Sequence, residues 1–197
     1  METENFSEAD SLKLINEMIG KAKKSYVTKG WASIMWGSII VFCSMATWVR
    51  VRYGISLGDV WILTFLAIIP QIYFGFKENK KRGFVSYEGQ VISYVWLAFG
   101  ISIFILSLYI NATKAGAVDS ASLFMMLYAI PTFITGGVTK FKPMIYGGIF
   151  CWVASVLSIF TNFEADNLLM AACGLFAWLI PGIILFKKYR LNQLANV

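Results

Sequence analysis

Six stretches of the chain contain no charged side chain and are long enough to cross a lipid bilayer. Within the hydrocarbon layer every backbone amide must be satisfied inside the segment, so a spanning helix needs roughly 17 to 25 apolar residues. The stretches are residues 31–49, 60–76, 91–112, 120–139, 143–163 and 167–186. They make up more than half of the 197 residues, and only 14% of the chain is charged. The sequence therefore predicts an all-α membrane protein with six transmembrane helices.

A repeated ending groups these helices in pairs. Each even-numbered helix carries an Ile-Pro pair shortly before a basic run, namely Ile69-Pro70, Ile130-Pro131 and Ile180-Pro181. Each odd-numbered helix carries an aromatic-glycine pair, namely Trp36-Gly37, Phe99-Gly100 and Tyr146-Gly147. This internal repeat predicts three tandem helical hairpins, over residues 31–76, 91–139 and 143–186.

The three Ile-Pro pairs predict kinks in the even-numbered helices. Proline removes one backbone hydrogen bond and clashes with the carbonyl group four residues earlier. Pro70, Pro131 and Pro181 are therefore candidate hinges that could line an inward-facing cavity. The other interpretation is that these prolines only shape the bundle, because proline is commoner in spanning helices than in soluble ones.

Small residues spaced four apart occur in the odd-numbered helices and favour close helix contacts. They form three rows: Ser33 with Gly37, Ala98 with Ser102, and Gly147 with Cys151 and Ser155. Such rows serve either packing within the chain, which we favour, or association with a second copy.

The first thirty residues form a separate amphipathic region. Leu12, Ile15, Ile19 and Ala22 recur at helical spacing, which predicts a helix over residues 7–26 lying on the inner face of the membrane. Its alternative role is to dock a cytoplasmic protein partner or a second copy. Residues 31–186 would form the bundle, and residues 187–197 a basic cytoplasmic tail.

The positive charges predict the orientation of the bundle. With both termini in the cytoplasm, 14 of the 17 Lys and Arg residues lie on the inner side, as in bacterial inner-membrane proteins. The net charge of +6 thus reflects topology and anionic lipid headgroups, and does not indicate nucleic-acid binding. The candidates for contact with anionic lipid or a partner are Lys21, Lys23, Lys24, Lys77, Lys80, Lys81 and Arg82.

Residues 11–24, followed by Trp31 and Trp36-Gly37, resemble the start of a group of small uncharacterised bacterial multi-pass inner-membrane proteins that have a basic amphipathic N-terminal helix. The resemblance covers about the first forty residues. It implies a multi-pass membrane protein, and it brings no activity and no site residues.

The types of residue that are missing from the chain argue against enzymatic function. The chain has no histidine, the commonest general base and transition-metal ligand. No charged residue lies within the six stretches, so the membrane interior is predicted to be free of charge. Asn162, Glu164, Asp166 and Asn167 are assigned to an outer loop without the spacing of a cation site. We therefore expect no catalytic, metal or cofactor site.

Two functional hypotheses carry most weight. The first is a non-enzymatic accessory, regulatory or scaffold module that engages a cytoplasmic partner, lipid or a second copy of itself. The alternative is a facilitative transporter or channel-like pathway for a neutral or amphipathic solute, lined by Gln71, Asn111, Thr132 and Thr135. A third, a lipid enzyme using Tyr87 or Glu88, lacks any pairing of base and nucleophile.

Overall fold

The computed structural model describes residues 30–56, 58–81, 87–113 and 117–194, and within these ranges it contains six helices and no strand. Helix α1 runs over Trp31–Tyr53, α2 over Ile62–Lys81, α3 over Tyr87–Thr113, α4 over Ala117–Val138 and α5 over Lys142–Ser158. Helix α6 consists of an α-helix over Phe163–Cys173, a π-helical segment over Gly174–Leu179 and a final α-helix over Ile180–Leu194. The all-helical fold class is thereby confirmed. The amphipathic helix predicted over residues 7–26 lies outside the described residues.

Four segments are long and apolar enough to cross a membrane: Trp31–Tyr53, Tyr87–Thr113, Ser120–Val138 and Phe163–Leu191. The apolar part of α2, Ile62–Tyr73, is shorter. Helix α5 has 17 residues, which is about 26 Å at the usual rise of an α-helix. The chain is thus a membrane protein by the length and composition of its helices. The full count of six spans stays a prediction.

The connection between α5 and α6 differs from the sequence prediction. Helix α5 already ends at Ser158, and the residues assigned to an outer loop form the start of α6. The side chain of Asn162 caps this helix, because its oxygen accepts the backbone N–H of Ala165 at 3.0 Å. Glu164 and Asp166 follow in the first turn, where the helix dipole favours negative charge. The uncharged stretches could not reveal this start, because they end wherever an acid appears.

The helices on either side of residues 82–86 also extend beyond the uncharged stretches. Helix α2 continues through its basic end to Lys81, and α3 begins at Tyr87. Residues 77–90, which separate the second and third uncharged stretches, are therefore helical at both ends.

Helices α1, α4, α5 and α6 make up the centre of the bundle. The most extensive contacts join α4 to α5 and α1 to α6. Helix α2 packs mainly on α1 and α3 mainly on α4, and α3 contains no buried residue. The strongest contacts thus connect different predicted hairpins. The arrangement in three hairpins stays a prediction.

Antiparallel contacts define two ends of the bundle. At one end Gly30 lies against Gly182 of α6, and α4 connects to α5 through Lys140. We refer to this as the Lys140 end. At the other end Arg52 faces Glu164 at 3.9 Å, and Ser158 contacts Asp166. We refer to this as the Asp166 end.

Two glycines allow α1 and α5 to approach the π-helical segment of α6 closely. A Cβ atom at Gly37 would lie 2.6 Å from the backbone nitrogen of Leu179, and one at Gly147 would lie 2.6 Å from the Cα of Ala177. Both residues belong to the predicted small-residue rows, so these two rows serve packing within the chain. At Gly100, the third glycine of the repeat, a Cβ would have no neighbour within 4 Å.

The π-helical segment directly precedes the third Ile-Pro pair. Its last hydrogen bond runs from the N–H of Ile180 to the carbonyl of Leu175, one residue further than in an α-helix. Pro181 has no N–H and cannot bond the carbonyl four residues earlier, so the regular ladder is interrupted at this point. Pro70 and Pro131 lie inside α2 and α4, which are α-helical around them. The kinks and hinges stay predictions.

We expect Gly37→Ala and Gly147→Ala each to destabilise the bundle, and Gly100→Ala to leave it as stable or slightly more stable. The first two changes force a methyl group against the backbone of α6, and such overpacking costs about 1 to 3 kcal/mol. The third places a methyl group in open space and improves helix propensity. Thermal unfolding in detergent measures the difference. Equal midpoints for the three variants would contradict the packing described here.

Candidate functional site

A buried hydrogen bond between Trp178 and Thr132 joins α6 to α4. Trp178 lies in the π-helical segment, and only 4% of it is exposed. Its Nε1–H donates to Thr132 Oγ1 at 2.7 Å, and that hydroxyl donates to the carbonyl of Tyr128 at 2.7 Å. A buried indole N–H needs an acceptor, because leaving it unpaired in an apolar interior is costly. The bond therefore fixes where Trp178 lies in the bundle.

Aromatic rings surround this bond and bring α3 into the structure. The ring centroid of Trp178 lies 5.0 Å from that of Tyr128, 5.8 Å from that of Trp96 and 6.2 Å from that of Phe99. Such separations are typical of favourable tilted and edge-to-face pairs. We call Trp96, Phe99, Tyr128, Thr132 and Trp178 the Trp178 cluster. Two of its members, Trp96 and Phe99, pack α3 on the hydrophobic core, together with Ile103 of the same helix.

A second polar contact joins α4 to α5. Ser122 Oγ donates to the carbonyl of Ser155 at 2.8 Å, and Ser155 Oγ donates to the carbonyl of Ser122 at 2.8 Å. The exchange satisfies both hydroxyl groups and fixes the register of the two helices.

A buried carboxylate closes the Asp166 end of the bundle. Asp166 is fully buried, and its Oδ1 accepts hydrogen bonds from Ser158 Oγ at 2.7 Å and Thr161 Oγ1 at 2.6 Å. Its Oδ2 has no hydrogen-bond partner. We call Ser158, Thr161 and Asp166 the Asp166 turn. It ties the end of α5, the connection and the first turn of α6 together.

All three cysteines are free and buried, and they lie on three different helices. Cys151 and Cys173 both belong to the buried hydrophobic core. Cys43 Sγ donates to the carbonyl of Val60 at 3.3 Å, which links α1 to the start of α2. The thiols therefore act as small packing groups between helices. Among the described residues no group of three or more His, Cys, Asp or Glu side chains could hold a metal ion.

The four candidate pathway residues fall into two groups. Thr132 and Thr135 are buried, and each accepts a tryptophan N–H, from Trp178 and from Trp96 respectively. Gln71 is exposed and accepts the indole N–H of Trp36 at 3.2 Å. Asn111 is exposed near the end of α3, and its amide donates to the carbonyl of Ser107 at 2.8 Å. The structure thus brings the two threonines together at the Trp178 cluster and leaves the other two residues on the surface.

The three candidate hinge prolines differ in burial, and the structure describes only part of the candidate basic residues. Pro131 and Pro181 are fully buried, whereas Pro70 is half-buried. Lys77, Lys80 and Lys81 belong to the end of α2, but their side chains are not among those described. The remaining basic candidates, Lys21, Lys23, Lys24 and Arg82, lie outside the described residues.

The sequence interpretation did not identify Asp166 and Trp178. Asp166 is buried in the first turn of a candidate span, Phe163–Leu191, where the sequence interpretation assigned an outer loop. Asn162, four residues earlier, could have indicated that a helix begins here, because asparagine is a preferred helix N-cap. Trp178 gave no comparable signal, since a tryptophan in an apolar stretch is equally compatible with the core and the membrane interface.

No protein-family model, curated protein or solved structure matches the chain.

We expect Thr132→Val to destabilise the protein by about 1 to 3 kcal/mol, because the indole N–H of Trp178 would lose its buried acceptor. Thr113→Val, on an exposed position of α3, serves as the control and should have little effect. In a double-mutant cycle, Thr132→Val combined with Trp178→Phe should cost less than the sum of the single changes. If the changes in the free energy of unfolding were strictly additive, the two side chains would not be coupled.

We expect Asp166→Ala to lower stability by roughly 1 to 3 kcal/mol, because the buried hydroxyl of Ser158 would lose its acceptor. Thr161 keeps a second acceptor, the carbonyl of Ser158 at 3.3 Å. Glu164→Ala removes an acid two residues away on the surface, and should change stability by no more than about 0.5 kcal/mol. Its ion pair with Arg52, at 3.9 Å between two exposed side chains, contributes little. Similar unfolding midpoints for the two variants would exclude the proposed role of the Asp166 turn.

Proposed function

We propose that this chain is a non-enzymatic module of the bacterial inner membrane, an accessory, regulatory or scaffold protein that engages a cytoplasmic partner, lipid or a second copy of itself. It crosses the membrane six times as three tandem hairpins, with both termini in the cytoplasm. The resemblance of its first forty residues to small multi-pass inner-membrane proteins agrees with this placement.

The observation that carries the proposal is the occupied interior at the Trp178 cluster. The hydroxyl groups of Thr132 and Thr135, the two buried candidates for a solute pathway, accept indole N–H groups from Trp178 and Trp96. A solute passing there would have to displace two tryptophan side chains and replace their hydrogen bonds. This arrangement favours a bundle that is stable in one conformation, as a scaffold requires.

The outer helices support the same interpretation. Helix α3 has 27 residues and buries none of them, and in the described part of α2 the buried side chain is Ala67. Such faces meet either lipid chains or another apolar helix in the membrane. They are available for association without any change in the core.

The transporter alternative receives no comparable support. Gln71 and Asn111 lie on the surface of the bundle, and both already make hydrogen bonds within the chain. Gln71→Leu separates the two functions, because a pathway lined by Gln71 would lose flux whereas a module would tolerate the change.

A deletion of residues 1–26 tests the module. The full-length protein and the shortened variant are purified in mild detergent from the native membrane, and co-purifying proteins are identified by mass spectrometry. We expect a specific protein to be lost from the variant while the variant still inserts and unfolds at the same temperature, because the bundle begins at Trp31. Identical sets of proteins from both would exclude docking through the N-terminal segment.

A further inference from the structure

An open apolar groove of about 310 Å³ runs between α5 and α6 on the outside of the bundle. Pro143, Tyr146 and Phe150 line it from α5, and Phe176, Ile180 and Pro181 line it from α6. The rings of Tyr146 and Phe176 are exposed beside it. Its volume is at the lower end of the range of ligand sites, about 300 to 1,000 Å³. An apolar groove that opens toward the bilayer suits a hydrocarbon chain.

Two lysines lie where the groove reaches the Lys140 end. Lys142 directly precedes Pro143 in the chain, and Lys140 lies two residues before Lys142. Both side chains are exposed. The connection that leads into the groove thus carries two exposed positive charges, which complement an anionic group at the membrane surface.

The backbone at Lys140 is unusual for a lysine. Helix α4 ends in a Schellman motif: the N–H of Phe141 bonds the carbonyl of Gly136 at 2.8 Å, and that of Lys140 bonds the carbonyl of Gly137 at 3.2 Å. Lys140 takes the left-handed position of this motif, with φ 53°, which glycine normally occupies. It is the one non-glycine residue with positive φ in the described part of the chain. A lysine in a backbone conformation that glycine adopts at lower energy indicates a functional role for the lysine side chain.

The N-terminus of α5 lies at the same place. Phe141 occupies the N-cap position and no side chain caps the helix, but Pro143 has no N–H and that of Met144 bonds the carbonyl of Phe141 at 3.1 Å. The positive potential here therefore comes mainly from the two lysine side chains.

We propose that this groove binds one anionic phospholipid, with the phosphate between Lys140 and Lys142 and an acyl chain along Tyr146, Phe176 and Ile180. Basic sites between transmembrane helices on the cytoplasmic side commonly hold anionic headgroups. The inference rests on membrane insertion in the proposed function and is independent of any protein partner. A protein that lacks this lipid site would therefore still recruit its partner in the deletion experiment.

The test compares phosphatidylglycerol with phosphatidylcholine of the same acyl chains, added to the full-length protein in detergent. Native mass spectrometry measures the bound fraction, and thermal unfolding measures stabilisation. We expect selective retention of phosphatidylglycerol and a rise in midpoint with that lipid alone. Equal retention of both lipids would overturn the proposal.

The lysine variants test the headgroup contact. Lys140→Gly and Lys142→Gln should each weaken retention of phosphatidylglycerol by about fivefold, the order expected for one basic side chain near an anionic surface. Lys140→Gly should not lower the midpoint without lipid, because glycine prefers its backbone conformation. The matched control, Arg50→Gln with Arg52→Gln, removes two charges from the other end of the bundle and should keep the preference. A loss of preference in the control alone would place the lipid elsewhere.

Two further experiments test whether the groove binds the acyl chain. Ile180→Trp fills the groove and should reduce retention, whereas Ile105→Trp, on an exposed apolar position of α3, should not. Glycerol phosphate supplies the charge without the chains and should not stabilise the protein. Stabilisation by glycerol phosphate equal to that by the lipid would overturn the role of the groove.

Discussion

The close approach of helices through glycine is the contact on which the rest of the structure depends. Within a bilayer, water gives no hydrophobic drive for helices to associate, so they depend on tight van der Waals contact. Gly37 and Gly147 permit that contact with the π-helical segment of α6. Gly136 and Gly148 do the same between α4 and α5, where added Cβ atoms would lie 2.7 Å from Ile145 and 2.8 Å from Phe133. The four helices joined in this way form the centre, and α3, whose Gly100 touches no other helix, lies outside them.

Close packing alone does not select one alignment of two helices, and buried polar groups supply that selection. If α6 moved along α4 by one residue, the indole N–H of Trp178 would lose Thr132 as its acceptor and stay unpaired in an apolar interior. The reciprocal bonds between Ser122 and Ser155 impose the same restriction on α4 and α5. The π-helical segment is part of this arrangement, because the indole that reaches α4 is carried by it. The irregular hydrogen bonding before Pro181 is therefore linked to the packing of the core.

The sequence predicted the helices because an uncharged apolar stretch has one stable form in a membrane. The internal repeat alone did not predict which helices contact one another most. The repeat paired the helices as consecutive hairpins, whereas the largest contacts join α4 to α5 and α1 to α6. A repeated pattern shows that two segments have similar local sequences. Which helices pack together depends instead on surfaces that meet only in the folded protein. Asp166 was missed for a related reason, since Ser158 and Thr161, which make its burial tolerable, become visible as partners only once the chain turns back.

The two ends of the bundle use their polar residues in opposite ways. At the Asp166 end the buried side chains of Asp166 and Ser158 bond to one another, and Thr161 also donates to Asp166, which fixes a turn. At the Lys140 end the charges of Lys140 and Lys142 face outward. Gly30, where the described chain begins, lies against Gly182 at this same end. Helix α1 therefore begins at the same end of the bundle as the proposed lipid site. A cytoplasmic partner that docks ahead of α1, as proposed above, and the bound lipid would then act at one end of the protein.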